Sequence, residues 1–280
     1  MKPTEPDRAA SESPAVLEDP GQAIVSARGI KVVYDDKTVL DGIDLDVQKG
    51  EIFVVVGPSG CGKSTLLRNL VGLERPREGK VLVKGRDVQA MDDDEYDEFM
   101  TGVGMLFQSG ALFNSMTVGE NVALPLREHT KLGEEEISSI VRLKLSLVGL
   151  AKAVDKLPSE LSGGMRKRAA ISRAIALDPE IIFFDELSAG LDPLTASELD
   201  ELVLRLQSSL GVTMVVVSHE LASIKTIADR IAVMSNGKIV ACGTEEELHA
   251  LRGPHADLVR RFLDRAPERK ESWIDRHVVA

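Results

Sequence analysis

The sequence predicts an α/β protein whose core is a parallel sheet. Three observations carry this. Ile52-Phe53-Val54-Val55-Val56, Ile181-Ile182-Phe183-Phe184 and Met214-Val215-Val216-Val217 are short apolar runs rich in β-branched and aromatic residues, the pattern of strands covered on both faces. The first run leads directly into the glycine loop Gly57-Pro58-Ser59-Gly60-Cys61-Gly62-Lys63-Ser64-Thr65, and Ser64 to Val71 then carries Leu66, Leu67, Leu70 and Val71 at helical spacing. Alternating helix and strand patterns resume after Gly163.

The elements follow in order. Met1 to Asp19 is polar and acidic, with Pro3, Pro6 and Pro14; it lacks the apolar stretch of a secretory signal, and residues 1–22 are expected to be disordered. Residues 24 to 56 read as short strands, with alternation in Ile30 to Tyr34 and in Val39 to Val47 and a turn at Lys49-Gly50. Residues 92 to 157 read as mostly helical, interrupted by the strand-like Val103 to Phe107. There Ile137, Ile140, Val141 and Val148 form one stripe, which core packing explains. A helix from Gly163 to about Ala176 precedes the strand at Ile181, and a second from about Pro193 to Ser208 precedes the strand at Met214. Ile231 to Met234 and Lys238 to Val240 form a hairpin around Asn236-Gly237. Leu258, Phe262 and Leu263 suggest a C-terminal amphipathic helix with a polar tail; no internal repeat is visible.

Composition narrows the function. The 280 residues suffice for one large domain, or for a core with an attached lobe. A net charge of −11 disfavours nucleic acid as the main partner, because phosphate neutralisation needs clustered Lys and Arg. The apolar runs are far shorter than the ~18 residues of a spanning helix, so a membrane role would run through a partner. The two cysteines, Cys61 and Cys242, suit a reducing cytoplasm rather than a disulfide framework.

The glycine loop is a complete G-x-x-x-x-G-K-S/T phosphate loop, in the strand–loop–helix setting that the motif requires. Gly57, Gly60 and Gly62 let backbone amides converge where a Cβ would obstruct, and the helix beginning near Lys63 directs its free N–H groups at the same anion. Lys63 adds a charge-assisted contact, and Ser64 offers a hydroxyl to Mg²⁺. Asp185 and Glu186 end a buried strand, at the sheet edge where ligands bind in α/β folds. Asp185 is placed to hold Mg²⁺, and Glu186 to orient or deprotonate water.

A second anion site opens the helix at Ser162-Gly163-Gly164. An isolated Ser-Gly-Gly is usually a capped helix that binds nothing. One helix start already serves the phosphates, however, so the second serves best from a neighbouring copy of the chain. Gln108, His219 and Tyr34 are each more often structural when taken alone; their order relative to the motifs raises them.

Those residues resemble an ATP-binding subunit of an ABC transporter, over Ile24 to Thr244. The resemblance implies a P-loop NTPase of the ABC ATPase fold: a RecA-like core with an N-terminal antiparallel β subdomain and an inserted α-helical subdomain. The ATPase domain would span 23–250, the helical subdomain about 92–160, and a C-terminal helix and tail 251–280. It implies ATP and Mg²⁺ as ligands, with Gly57 to Thr65 as the Walker A loop (Pro58, Ser59 and Cys61 included) and Tyr34 stacking on adenine. Gln108 would be the Q-loop glutamine and a Mg²⁺ ligand beside Ser64 and Asp185. Glu186 would be the catalytic glutamate, Ser188 to Asp192 the D-loop and His219 the switch histidine. Leu161 to Met165 would be the signature, facing ATP bound to a second copy in a head-to-tail dimer.

Phe107 to Phe113, Pro125 to Thr130 and the signature with its basic continuation resemble more closely the ATPases of Mla-type, MCE-associated lipid transporters. This implies a membrane permease, a periplasmic MCE lipid-binding protein and a small cytoplasmic accessory protein as partners. The location would be the cytoplasmic face of the bacterial inner membrane. Two departures stand out: Met165 where most signatures have Gln, and Leu187 where Pro usually follows the glutamate. The rival readings are a solute importer for amino acids or ions and a non-transport ABC ATPase. Repair types insert a long coiled coil between the half-sites, whereas Ser162 follows Gly57 by only 105 residues. Translation types usually fuse two such domains. A GTPase or small-molecule kinase would not need Ser162-Gly163-Gly164.

Overall fold

The computed structural model describes residues 23–264; the disorder expected of residues 1–22 and the end of the C-terminal tail lie outside the described residues. The chain runs β1 (Ala23–Tyr34), β2 (Lys37–Gln48), β3 (Ile52–Val56), α1 (Lys63–Val71), β4 (Glu78–Val83), β5 (Arg86–Asp87), α2 (Asp93–Thr101) and β6 (Val103–Leu106). It continues through α3 (Val118–His129), α4 (Glu134–Leu147), two short 3₁₀ turns and α5 (Gly163–Ala174). Then come β7 (Ile181–Asp185), α6 (Pro193–Leu210), β8 (Thr213–Val217), α7 (Leu221–Ile227), β9 (Arg230–Ser235), β10 (Lys238–Gly243), α8 (Glu245–Ala250) and α9 (Ala256–Leu263).

Two sheets form. One is antiparallel, in the order β2-β1-β4-β5; the other follows β10-β9-β3-β8-β7-β6, with β9, β3, β8, β7 and β6 parallel and β10 antiparallel. The continuous apolar runs explain the second sheet. Successive side chains of a strand point to opposite faces. Ile52, Val54 and Val56 therefore enter a core shared with α3 to α7, while Phe53 and Val55 enter one shared with β1, β2 and α1. Every residue of β3, β7 and β8 is buried, which a strand with one wet face could not show.

A charged seam joins the sheets. Arg28 of β1 pairs with the buried Asp46 of β2 at 2.8 Å. Arg230, opening β9, donates to the Asp46 carbonyl at 3.3 Å and to Glu51 at 3.0 Å, and its guanidinium lies 5.3 Å from the Phe53 ring centre. Burial pushes the Glu51 carboxyl up against the pull of Arg230.

The register decides the site. Val217 of β8 stands opposite both Val55 of β3 and Asp185 of β7, and Leu106 of β6 stands opposite Phe184. Four parallel strands thus end flush, and the residues that follow each end share one edge. These are Gly57 onward, Gln108, Glu186 and His219. The Asn236-Gly237 turn has the two positive φ values, 49° and 75°, of a two-residue hairpin. The hairpin β4–β5 has no counterpart in the sequence reading. Among the described residues no helix is long and apolar enough to cross a membrane.

Candidate nucleotide site

The first helix start is left open by its own chain. Gly62 caps α1 at φ 105° and supplies no side-chain partner, so the first-turn amides face outward, as an anion site needs. A Cβ on Gly62 would lie 2.7 Å from Leu40 Cδ2, and one on Gly57 2.4 Å from the Met234 carbonyl oxygen, whereas one on Gly60 would meet nothing within 4 Å and that glycine serves its φ of 77° instead. Lys63 is buried, and its Nζ donates to the carbonyls of Gly57 at 2.9 Å and Pro58 at 3.0 Å. An ammonium has three donors, so one remains for a phosphate. Val39, Ser59, Gly60, Lys63, Thr65 and Glu186 line a cavity of about 240 Å³ here. A second, of about 360 Å³, shares Val39, Ser59 and Gly60 and extends past Cys61 toward Lys37 and Asn236. Burial holds the Cys61 thiol above its usual range despite the nearby Lys63 charge.

The flush strand ends bring the polar residues together. Ser64 Oγ donates to Asp185 Oδ1 at 2.9 Å. A hydroxyl and one carboxylate are hard oxygen donors that suit Mg²⁺, which takes one or two protein carboxylates and completes its shell with phosphate and water. Among the described residues no group of three or more His, Cys, Asp or Glu could hold a metal.

Glu186 sits at φ 56°, left-handed backbone that costs a non-glycine residue about 1–3 kcal/mol. Its amide donates to the Val217 carbonyl at 3.0 Å. Its Oε2 accepts from Gln108 Nε2 at 2.7 Å, and its Oε1 lies 3.3 Å from His219 Nδ1. Gln108 and His219 thus converge on one carboxylate at the mouth of the loop. Tyr34 ends β1 half-exposed, donates its hydroxyl to Glu74, and lines neither cavity.

The second helix start is arranged differently. Ser162 caps α5, its Oγ accepting from the Met165 amide at 3.2 Å. A Cβ on Gly164 would lie 2.4 Å from Thr195 Cγ2, so the glycine permits close packing on α6. Neither Ser162, Gly163 nor Gly164 lines the cavities at the phosphate loop; one chain alone does not join the two glycine elements. The two departures acquire places: Leu187 is buried in the helical core, and Met165 packs partly against it.

Two residues escaped the sequence reading. Lys167 is buried and its Nζ donates to the carbonyls of Gln108 at 2.6 Å and Glu186 at 3.0 Å. Arg173 donates to those of Ala111 at 2.7 Å and Gly110 at 3.1 Å. Gly164, Lys167 and Ile171 recur on one buried face of the helix, between the more exposed Arg166 and Arg168, a 3–4 spacing that the basic run masks in the sequence. Next to Arg173 a groove of about 340 Å³ opens between the edge strand β6 and α3, walled by Met100, Met105, Phe113, Leu124 and Pro125.

The family model described as ABC transporter matches residues 40–189. The chain is 45% identical over 241 residues, covering 86% of itself and 88% of the relative, to the intermembrane phospholipid transport system ATP-binding protein MlaF of Escherichia coli (strain K12). It is 40% identical to the probable ribonucleotide transport ATP-binding protein mkl of Mycobacterium leprae (strain TN), covering 86% of itself and 68% of that protein. Among solved structures, the dimeric post-hydrolysis state of the ATP-binding cassette MJ0796 bound to ADP and Pi superposes with a TM-score of 0.73 at 30% identity, over 82% of this chain and 100% of that one.

Proposed function

The chain belongs to the ABC transporter family, and from that premise we propose that it is the ATP-hydrolysing subunit of a bacterial transporter that moves phospholipid between the inner membrane and the outer envelope. Two copies close head to tail around two ATP molecules. The observation that carries the ATPase reading is the Glu186 carboxylate, which accepts from Gln108 and lies 3.3 Å from His219 on the wall of the phosphate-loop cavity. The lipid reading is supported by the 45% identity to MlaF.

In this reading the amides of Gly60 to Ser64 and the third donor of Lys63 bind the phosphates. Tyr34 stacks on adenine. Ser64, Asp185 and Gln108 would hold Mg²⁺, which would supply positive charge to the triphosphate. Glu186 accepts a proton from water as the water oxygen bonds to the γ-phosphorus and the bond to ADP breaks; His219 and Gln108 fix the carboxylate while this happens. Ser162 and the α5 amides of the partner subunit complete the γ-phosphate cage, so loss of phosphate releases the closed pair. ATP can drive closure only through its stronger binding to the closed state. A permease segment docks in the groove beside Phe113 and Leu124 and holds the protein at the cytoplasmic face of the inner membrane. A periplasmic MCE lipid-binding protein and a small cytoplasmic accessory protein complete the assembly.

Glu186→Gln tests the chemistry. The variant should bind ATP, accumulate as a dimer on size exclusion, and turn over at least about 100-fold more slowly; near-normal turnover would remove Glu186 from its role. Purification with the membrane partners, followed by lipid mass spectrometry, tests the cargo. The similarity to mkl favours one alternative, a solute transporter, which copurification without phospholipid or an MCE protein would support.

A further inference from the structure

We propose that Lys167 is a positioning residue for hydrolysis: from within α5 it fixes the backbone of both Glu186 and Gln108 in its own chain's site. The inference rests on the ATPase reading above and deepens it.

The geometry is specific. Lys167 lies five residues after Ser162, with 6% of its surface exposed. Its Nζ donates to the two carbonyls of the hydrogen-bonded pair Gln108–Glu186. Those residues come from different strand ends, after β6 and β7, and one ammonium spans them. Burial strips the amine of water and lowers its pKa, while the nearby Glu186 and Asp185 charges favour the ammonium. A side chain needed only to fill this space would be apolar, because burying a cation is costly unless its donors are used.

Glu186 has particular need of such an anchor. Its left-handed backbone is not held by local preference. Each of its polar groups is tied to another element: the amide to β8, the carbonyl to α5, one carboxylate oxygen to Gln108 and the other to His219. Losing the carbonyl tie frees the peptide to rotate and carries the carboxylate with it. Arg173, further along the same helix, holds the carbonyls of Gly110 and Ala111, so α5 clamps the 108–111 segment at both ends.

The test uses the full chain, with ATP turnover, ATP affinity and melting measured together. Lys167→Met keeps the stem and removes the donor; Lys167→Arg keeps donors. Lys167→Met should lower kcat on the order of 10- to 100-fold, with ATP affinity within about twofold of wild type, and Lys167→Arg should recover most of the rate. An unchanged kcat in Lys167→Met, or a loss that follows ATP affinity and melting temperature, overturns the proposal. Mixed dimers locate the defect. Equal parts of Lys167→Met and Ser162→Arg chains should regain activity, since one site then combines an intact Glu186 with an intact Ser162; a mixture as slow as its parents overturns the proposal. A wild-type chain that fails to hydrolyse ATP removes the ATPase reading and this one together. Wild-type turnover matched by Lys167→Met removes only this one.

Discussion

Helices α1 and α5 both start beside a glycine, and their beginnings are built in opposite ways. At α1 the cap is Gly62, which has no side chain to offer, and the neighbouring lysine is folded onto loop carbonyls inside a cavity. At α5 the cap is Ser162, whose hydroxyl already accepts an amide, and neither Ser162 nor Gly163 lines a cavity at the phosphate loop. The first start is an anion site formed within one chain by amides that no side chain caps. The second is a self-sufficient helix end whose hydroxyl still has a hydrogen to donate. A site that must hold nucleotide alone needs unpaired amides, whereas a surface that meets nucleotide only on assembly must be stable while it waits.

The contrast can be broken most severely at the second start. Ser162→Arg should reduce hydrolysis by more than about 100-fold, the scale of losing a donor aimed at developing charge, while dilute protein binds ATP as wild type does by calorimetry. An equal loss of ATP affinity would mean that the two starts serve one chain. Next, Lys63→Ala should weaken ATP binding by about 10- to 100-fold, equivalent to ~1.5–3 kcal/mol for a hydrogen bond to a charged group; unchanged affinity would empty the first start of its role. The smallest effect sharpens the comparison. Ser162→Ala removes a cap worth ~1 kcal/mol, which should lower the melting temperature by about 2–4 °C without nucleotide. No shift would mean that the serine contributes nothing until a partner arrives.

Local chemistry was legible and tertiary placement was not. The phosphate loop, the carboxylate pair and the three apolar strands each announce themselves within ten residues, because strand burial and phosphate binding demand particular residue types in sequence. The Asn236-Gly237 turn was readable for the same reason. The β4–β5 hairpin was not: Glu78, Gly79 and Lys80 are exposed, and only Val81 and Val83 reach the core, too short a period to register. Lys167 was hidden by its neighbours, since a basic Arg166-Lys167-Arg168 run reads as solvated until a helix turns the middle residue inward. Leu187 read as a missing proline; its burial in the core supplies a reason for an apolar residue there. The union of Gln108, Glu186 and His219 depends on three strands ending flush, which no spacing in the sequence encodes.

The left-handed backbone at Glu186 has a practical consequence. Glycine takes such angles freely, so selection for heat resistance alone would relieve the backbone cost here by replacing Glu186 with glycine. The more robust molecule that resulted would have discarded the acid that the proposed hydrolysis requires. Durability and turnover are set against each other at a single peptide.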